Sequence, residues 1–174
     1  QLLLFQMTVR GASDELFNKL LAMSKSAPEN GYVMNTLGIY YLDYMQDSDK
    51  AEGTFKKAIK LNSDYAHPIN NLGVTKLRKQ NIEEAIVLFK QAAKVDPAYV
   101  QAWENLANAY ILKGRLPAAL EVLRTAIKGR VALSSYWQHQ EGWLLIQTNQ
   151  LDEAISWCRD WIRKEPDNPL LRNN

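Results

Sequence analysis

Nucleophilic catalysis needs a base within hydrogen-bond reach of the attacking side chain, and few residues here could supply the pair. The 174 residues include two histidines, His67 and His139, and one cysteine, Cys158. The histidines fall in first helices of different hairpins. Cys158 occupies an inner position of a second helix, so a Cys–His pair is not expected and Cys158 reads as a small buried hydrophobe. No His or Cys pair has zinc spacing, no glycine-rich loop opens a helix as a phosphate cradle, and no Asp-rich run resembles a calcium loop. Glu83, Glu84, Asp152 and Glu153 stand at helix starts, where the macrodipole favours carboxylates. The expectation is a protein that is not an enzyme and carries no cofactor and no metal.

Binding chemistry is better represented. Trp103, Leu106, Ala107 and Tyr110 fall at i, i+3, i+4 and i+7, one face of a helix. At roughly 100° per residue, Gln101, Asn105, Asn108 and Leu112 lie opposite. Equivalent positions in three related segments are Tyr32, Thr36, Ile39 and Asp43; His67, Asn71, Val74 and Arg78; and Tyr136, Gln140, Trp143 and Gln147. A solvated helix face is normally rich in charge, yet of these positions only Asp43 and Arg78 carry any. Partner helices bear the usual mixture, such as Lys56, Lys57, Lys60, Lys90, Lys94, Glu121, Arg124 and Lys128. Asn and Gln amides donate and accept together, which suits an extended backbone, and Tyr and Trp give rigid anchoring area. Candidate peptide contacts are therefore Asn71, Asn105 and Asn108, with Asn70 and His139 flanking them and Tyr136 and Trp143 as apolar anchors.

Those residues need helices in fixed register. Residues 100–133 read as two amphipathic helices, the first ended by Gly114 and the second opened by Pro117. Such a hairpin cannot bury its apolar stripe without neighbours, and copies flank it. The small residue of the first helix recurs as Leu4, Gly38, Gly73, Ala107 and Gly142, every 34 or 35 residues, and that of the second as Leu16, Ala51, Ala85, Ala119 and Ala154. A period near 34 with two helices per unit signals a solenoid.

The units are approximately 1–28 (partial), 31–63, 66–97, 100–133 and 135–168, with 169–174 beginning a truncated element of one 1–174 domain. In the first, Ser13 is expected to cap a helix from about Asp14 to Ser26 that places Leu16, Leu20 and Met23 inward. The second carries an extra residue in its turn, Gln46-Asp47-Ser48-Asp49, and the third an Asn81…Glu84 pair with capping-box spacing. In the last unit Cys158 stands where a large residue is expected and Trp161 where a small one is. Two readings follow: bulk shifted between positions of one helix face, or Trp157 and Trp161 forming an exposed apolar end that docks on another domain or subunit.

Trp103-x2-Leu106-Ala107-x2-Tyr110…Ala119-x3-Leu123…Ala126 resembles the tetratricopeptide repeat (TPR) pattern, as do Leu72-Gly73…Ala85-x3-Phe89…Pro97 and Leu37-Gly38-x2-Tyr41…Ala51-x3-Phe55…Ala58. The resemblance implies an all-α fold: a right-handed superhelical solenoid of about five hairpins whose first helices line a groove for an extended or helical peptide segment. Asn71 and Asn105 resemble a short version of the asparagine ladder of O-linked N-acetylglucosamine transferases. The ladder fails at Thr36 and is approximated at Gln140. The dicarboxylate clamp of chaperone-binding TPR domains is not expected, because Asn35, Ile39, Asn71, Gln101 and Asn105 stand where its basic residues would be.

A net charge of +2 from 21 basic and 19 acidic residues gives no pull toward nucleic acid. No apolar run approaches the roughly 20 residues of a membrane span, and one cysteine excludes an internal disulfide. A start at Gln1, inside a helix, is what a piece of a longer or processed protein would show, and a targeting segment would then lie before it. The expected function is a protein–protein interaction scaffold binding a peptide in its groove. The alternatives are self-assembly into a homo-oligomer through the terminal repeats, or the substrate-presenting arm of a larger enzyme such as a glycosyltransferase.

Overall fold

The computed structural model describes residues 15–164, and among them every regular element is a helix. The helices are α1 (15–26), α2 (Gly31–Asp43), α3 (Ser48–Leu61), α4 (Ala66–Arg78), α5 (Ile82–Val95), α6 (Val100–Leu112), α7 (Leu116–Lys128), α8 (Ser135–Gln147) and α9 (Leu151–Lys164). They fall into two compact units, one ending at Ala102 and the other beginning at Trp103. The Ser13 cap, Leu4 and the element expected over 169–174 lie outside the described residues.

In the first unit, hairpins α2–α3 and α4–α5 close by fitting a phenyl ring onto a glycine. A Cβ built on Gly38 or Gly73 would lie 2.5 Å from the ring of Phe55 or Phe89, so only glycine lets the helices approach this closely. Both phenylalanines are fully buried, and Ala51, Ala58, Ala85 and Ala92 lie equally deep on the same helices. The core runs on through Leu42, Ala51, Phe55 and Leu72, with Ile39, Ile59 and Val74 packed against it. On α1, Leu20 is buried with Leu37 and Tyr40. Leu16 and Met23, expected inside, are 48% and 50% exposed. Phe17 takes the packing instead, stacked on Tyr40 at 4.9 Å; the aromatic ring one position later buries more area than Leu16 could.

A cluster of charges ties α3, α4 and α5 together. Glu52 accepts hydrogen bonds from Lys56 at 2.7 Å, Lys76 at 2.9 Å and Lys79 at 2.9 Å. Lys76 also reaches Glu84 at 2.9 Å, and Lys79 reaches Asp49 at 2.7 Å. The three ammonium groups, Lys56 foremost, hold the Glu52 carboxyl down to about 2. This cluster also explains why the expected capping box is absent: Asn81 precedes α5 without a side-chain cap bond. The Asn81 N–H that Glu84 would cap donates instead to the Lys76 carbonyl at 2.9 Å, and the Glu84 carboxylate goes to Lys76 Nζ.

Within each hairpin the turn places one residue in the left-handed region: Gln46 (φ 54°), Gln80 (φ 62°), Gly114 (φ 69°) and Asn149 (φ 57°). The extra residue of the α2–α3 connection lies within Tyr44–Asp47, while Ser48 and Asp49 already belong to α3, capped by the Asp47 carboxylate. Glycine is the side chain that occupies this conformation without a Cβ penalty. Gly114→Ala is therefore expected to lower stability by about 1 kcal/mol, read as a drop in the urea midpoint with unchanged slope. Gln80→Gly should cost nothing measurable.

The second unit uses the same plan with different sizes. Ala107 and Leu123, both fully buried, stand at the register of the glycine–phenylalanine pairs. At Gly142 a Cβ would lie 2.7 Å from the indole of Trp157. Trp157, not Cys158, is thus the large residue of the last hairpin, and Cys158 is exposed rather than buried. An indole reaches further than a phenyl ring, so it covers the glycine from one position earlier along α9. Trp157 and Trp161 are both half-buried and stack at 5.9 Å with planes 12° apart, so neither reading of the tryptophans fits as stated. The α7–α8 connection runs over 129–134, longer than the 96–99 connection between α5 and α6. The Glu104 carboxylate holds it by accepting the Ser134 N–H at 2.8 Å.

Candidate peptide-binding face

In the first unit, α2 and α4 present the face picked out by its lack of charge. Its two charged residues neutralise each other: Arg78 Nη2 donates to the Asp43 carboxylate at 2.5 Å, and Nη1 donates to the Leu42 carbonyl at 2.5 Å. Tyr32 and His67 are exposed on this face, while Ile39, Asn71 and Val74 are half-buried. The Thr36 hydroxyl is turned back to the Tyr32 carbonyl at 3.0 Å.

The amides are more deeply committed than their sequence positions imply. Asn70 is only 3% exposed and donates to the Tyr99 hydroxyl at 3.4 Å, so it is an interior residue and not a surface contact. Its position beside the stripe turns it toward the next connection, where a phenol can satisfy it. Asn71 Nδ2 donates to Asn35 Oδ1 at 3.0 Å, and Asn35 in turn donates to the Tyr65 hydroxyl at 3.4 Å. One Asn71 N–H is thereby used within the scaffold. Asn35 and Asn70, and likewise Tyr65 and Tyr99, recur one repeat apart, so this amide–phenol bond belongs to the repeat. Burial pushes both phenols up, which keeps their hydroxyls protonated as partners.

Tyr65 and Tyr99 also complete a row of rings that the sequence reading missed. Tyr32 and Tyr65 centroids lie 4.6 Å apart, Tyr65 and His67 5.0 Å, and His67 and Tyr99 4.3 Å. The available signal was the Tyr one residue before each of two first helices.

In the second unit, α6 exposes Asn108 and Leu112 and half-buries Asn105. On α8, Tyr136 is 61% and Trp143 41% exposed, and their i, i+7 spacing puts them on one side of the helix. His139 is exposed, but its ring is placed elsewhere. Nδ1 bonds the Ser135 carbonyl at 2.5 Å, and the imidazole packs edge-on to Trp161 at 4.8 Å. Tyr136 and Trp143 thus share one side of α8, Asn108 is open to solvent, and His139 is turned toward α9.

Every buried side-chain polar atom among the described residues has a partner. No group of three His, Cys, Asp or Glu side chains among them could hold a metal ion. No helix among them is long and apolar enough to cross a membrane.

Comparison with known proteins agrees with the all-α hairpin fold. The tetratricopeptide repeat family model matches residues 70–135. Solved structures similar in fold include MamA, 21% identical over 92% of this chain and 87% of that one with a TM-score of 0.71. PilF of Pseudomonas aeruginosa is 17% identical over 88% and 69% of the two chains, with a TM-score of 0.72. YrrB, described as a TPR protein with an unusual peptide-binding site, is 19% identical over 84% and 75%, with a TM-score of 0.68. No curated protein matches significantly. Residues 70–135 thus match the tetratricopeptide repeat family, and the fold is an all-α helical solenoid of TPR repeats. That architecture supports a protein–protein interaction scaffold.

Proposed function

We propose that this protein is a non-enzymatic scaffold that binds an extended or helical peptide segment in a groove lined by the uncharged face of its first helices. The observation that carries the proposal is the neutrality of that face: its only two charges, Asp43 and Arg78, are spent on each other. A face meant only for water would not need its charges paired away, whereas one that is desolvated on binding would. The exposed Tyr136 and Trp143 supply rigid apolar area, and Asn108 supplies an amide for a peptide backbone. Asn71 and Asn105, each half-buried, contribute whatever donor and acceptor capacity the scaffold leaves them. Likeness to YrrB, described as having a peptide-binding site, is in keeping with this reading.

The test is selection from a displayed library of random peptides, followed by titration of the best binders. Tyr136→Ala/Trp143→Ala should weaken them by tenfold or more, at an unchanged melting temperature, because two exposed aromatic anchors are lost. Asn108→Ala should weaken them less. Affinity that survived the aromatic double substitution would place the site elsewhere.

A further inference from the structure

Helix α9 carries apolar residues on a side that its own hairpin does not use. Ala154, Trp157 and Trp161 face α8: Ala154 is buried, Trp157 lies over Gly142, and Trp161 meets the His139 ring. About a quarter turn away, at roughly 100° per residue, run Leu151, Ile155, Cys158 and Ile162. The three aliphatic side chains are 54%, 50% and 47% exposed, and Cys158 is exposed between them. Steps of four, three and four residues are those of a coiled-coil seam, in which each apolar side chain fits between residues of a facing helix. Among the described residues nothing covers this stripe.

The charges beside the stripe are ordered along it. Asp152 and Arg159 stand on the same flank, the acid toward the N-terminal end of α9 and the base seven residues on. Both are exposed, and neither has an ion-pair partner among the described residues, whereas Glu153 is taken by Arg124 and Asp160 by Arg163. Opposite charges at the two ends of one flank make α9 complementary to itself when run in the opposite direction. About a two-fold axis between positions 156 and 157, Leu151 meets Ile162 of the second copy and Ile155 meets its Cys158. Asp152 then lies beside Arg159 of the second copy, twice by symmetry. A parallel pair would set this flank against the side that carries α8, and neither charge would find the other. Because α9 is already folded on α8, pairing orders side chains alone. We propose that this protein forms a two-fold dimer in which α9 packs antiparallel on α9 of a second copy along Leu151, Ile155, Cys158 and Ile162, its direction fixed by two Asp152–Arg159 pairs. The dimer does not depend on what the first-helix face binds.

Sedimentation equilibrium over roughly a hundredfold range of concentration should show a monomer–dimer equilibrium. Asp152→Arg sets like charges together at both ends of the seam, and so does Arg159→Asp, so either change alone should weaken association by about tenfold or more. An equimolar mixture of the two variants should recover wild-type association, because each supplies the charge that the other has lost. A variant that had merely misfolded would not be rescued in this way. Cys158, the one cysteine of the chain, gives a second readout. Across the two-fold axis the two thiols lie three residues, roughly 5 Å, apart along the helices. A short bis-maleimide should therefore trap the dimer in the wild type and in the mixture, and far less in either variant alone. A monomer at every concentration overturns the proposal. So does a dimer that persists in both single variants, or one that the mixture fails to restore.

Discussion

Phe89→Ala is expected to cost about 3–5 kcal/mol, seen as a large fall in the urea midpoint followed by circular dichroism. The ring is fully buried and lies where a Cβ on Gly73 would be, so truncating it opens a cavity that two helix backbones cannot collapse to fill. The converse change is also costly. Gly73→Ala puts a methyl group 2.5 Å from a ring hemmed in on all sides, and should lose about 1–3 kcal/mol by overpacking. The chain suggests its own remedy, since Ala107 and Leu123 occupy the same register in the next hairpin. Gly73→Ala/Phe89→Leu should therefore be more stable than the sum of its single changes by about 1 kcal/mol or more. Strict additivity would show that the two positions do not share one packing volume.

The step from small to large residue along the second helix was legible in the sequence for three hairpins and misread for the last. Ala51/Phe55, Ala85/Phe89 and Ala119/Leu123 keep the same four-residue step, and a period is a property of the chain alone. At Trp157 the step shortens, because a larger side chain reaches the same glycine from a different starting point. Spacing rules carry no information on reach. Similarly, the neutral face was readable as a pattern of residue types, and Asp43 and Arg78 were readable as its exceptions. Their mutual pairing was not, because it depends on two side chains meeting across different helices. Asn70 shows the limit most plainly. One position separates it from Asn71, yet it is interior while Asn71 is half-buried. Roughly 100° per residue on a helix sorts the two only once the Tyr99 hydroxyl is known to lie beside one of them. Residue type announced an amide-rich surface; partner geometry decided which amides are spent inside it.

Glu52→Gln should produce a large pH-dependent effect on stability. The lysines around Glu52 depress its carboxyl from 4.5 to about 2, so the folded state binds this proton more weakly than the unfolded chain. The group's contribution to stability is therefore complete above pH 4.5 and is lost as pH falls from there toward 2. Glu52 itself is well covered, with 13% of its side chain exposed, but Lys56 is 60% exposed. Solvent screening accordingly reduces the contribution to about 2 kcal/mol at neutral pH. The neutral amide would also leave Lys76, only 12% exposed at its side chain, with Glu84 as its remaining ion-pair partner. Unfolding free energies of the two proteins from urea titration should differ by that amount at pH 7 and converge as the pH approaches 2, with the acid limb of the wild-type profile flattened in Glu52→Gln. A difference that stayed constant from pH 7 to pH 2.5 would mean the residue acts through packing alone. The charges between α3, α4 and α5 would then be a consequence of the hairpins' stacking and not one of its causes.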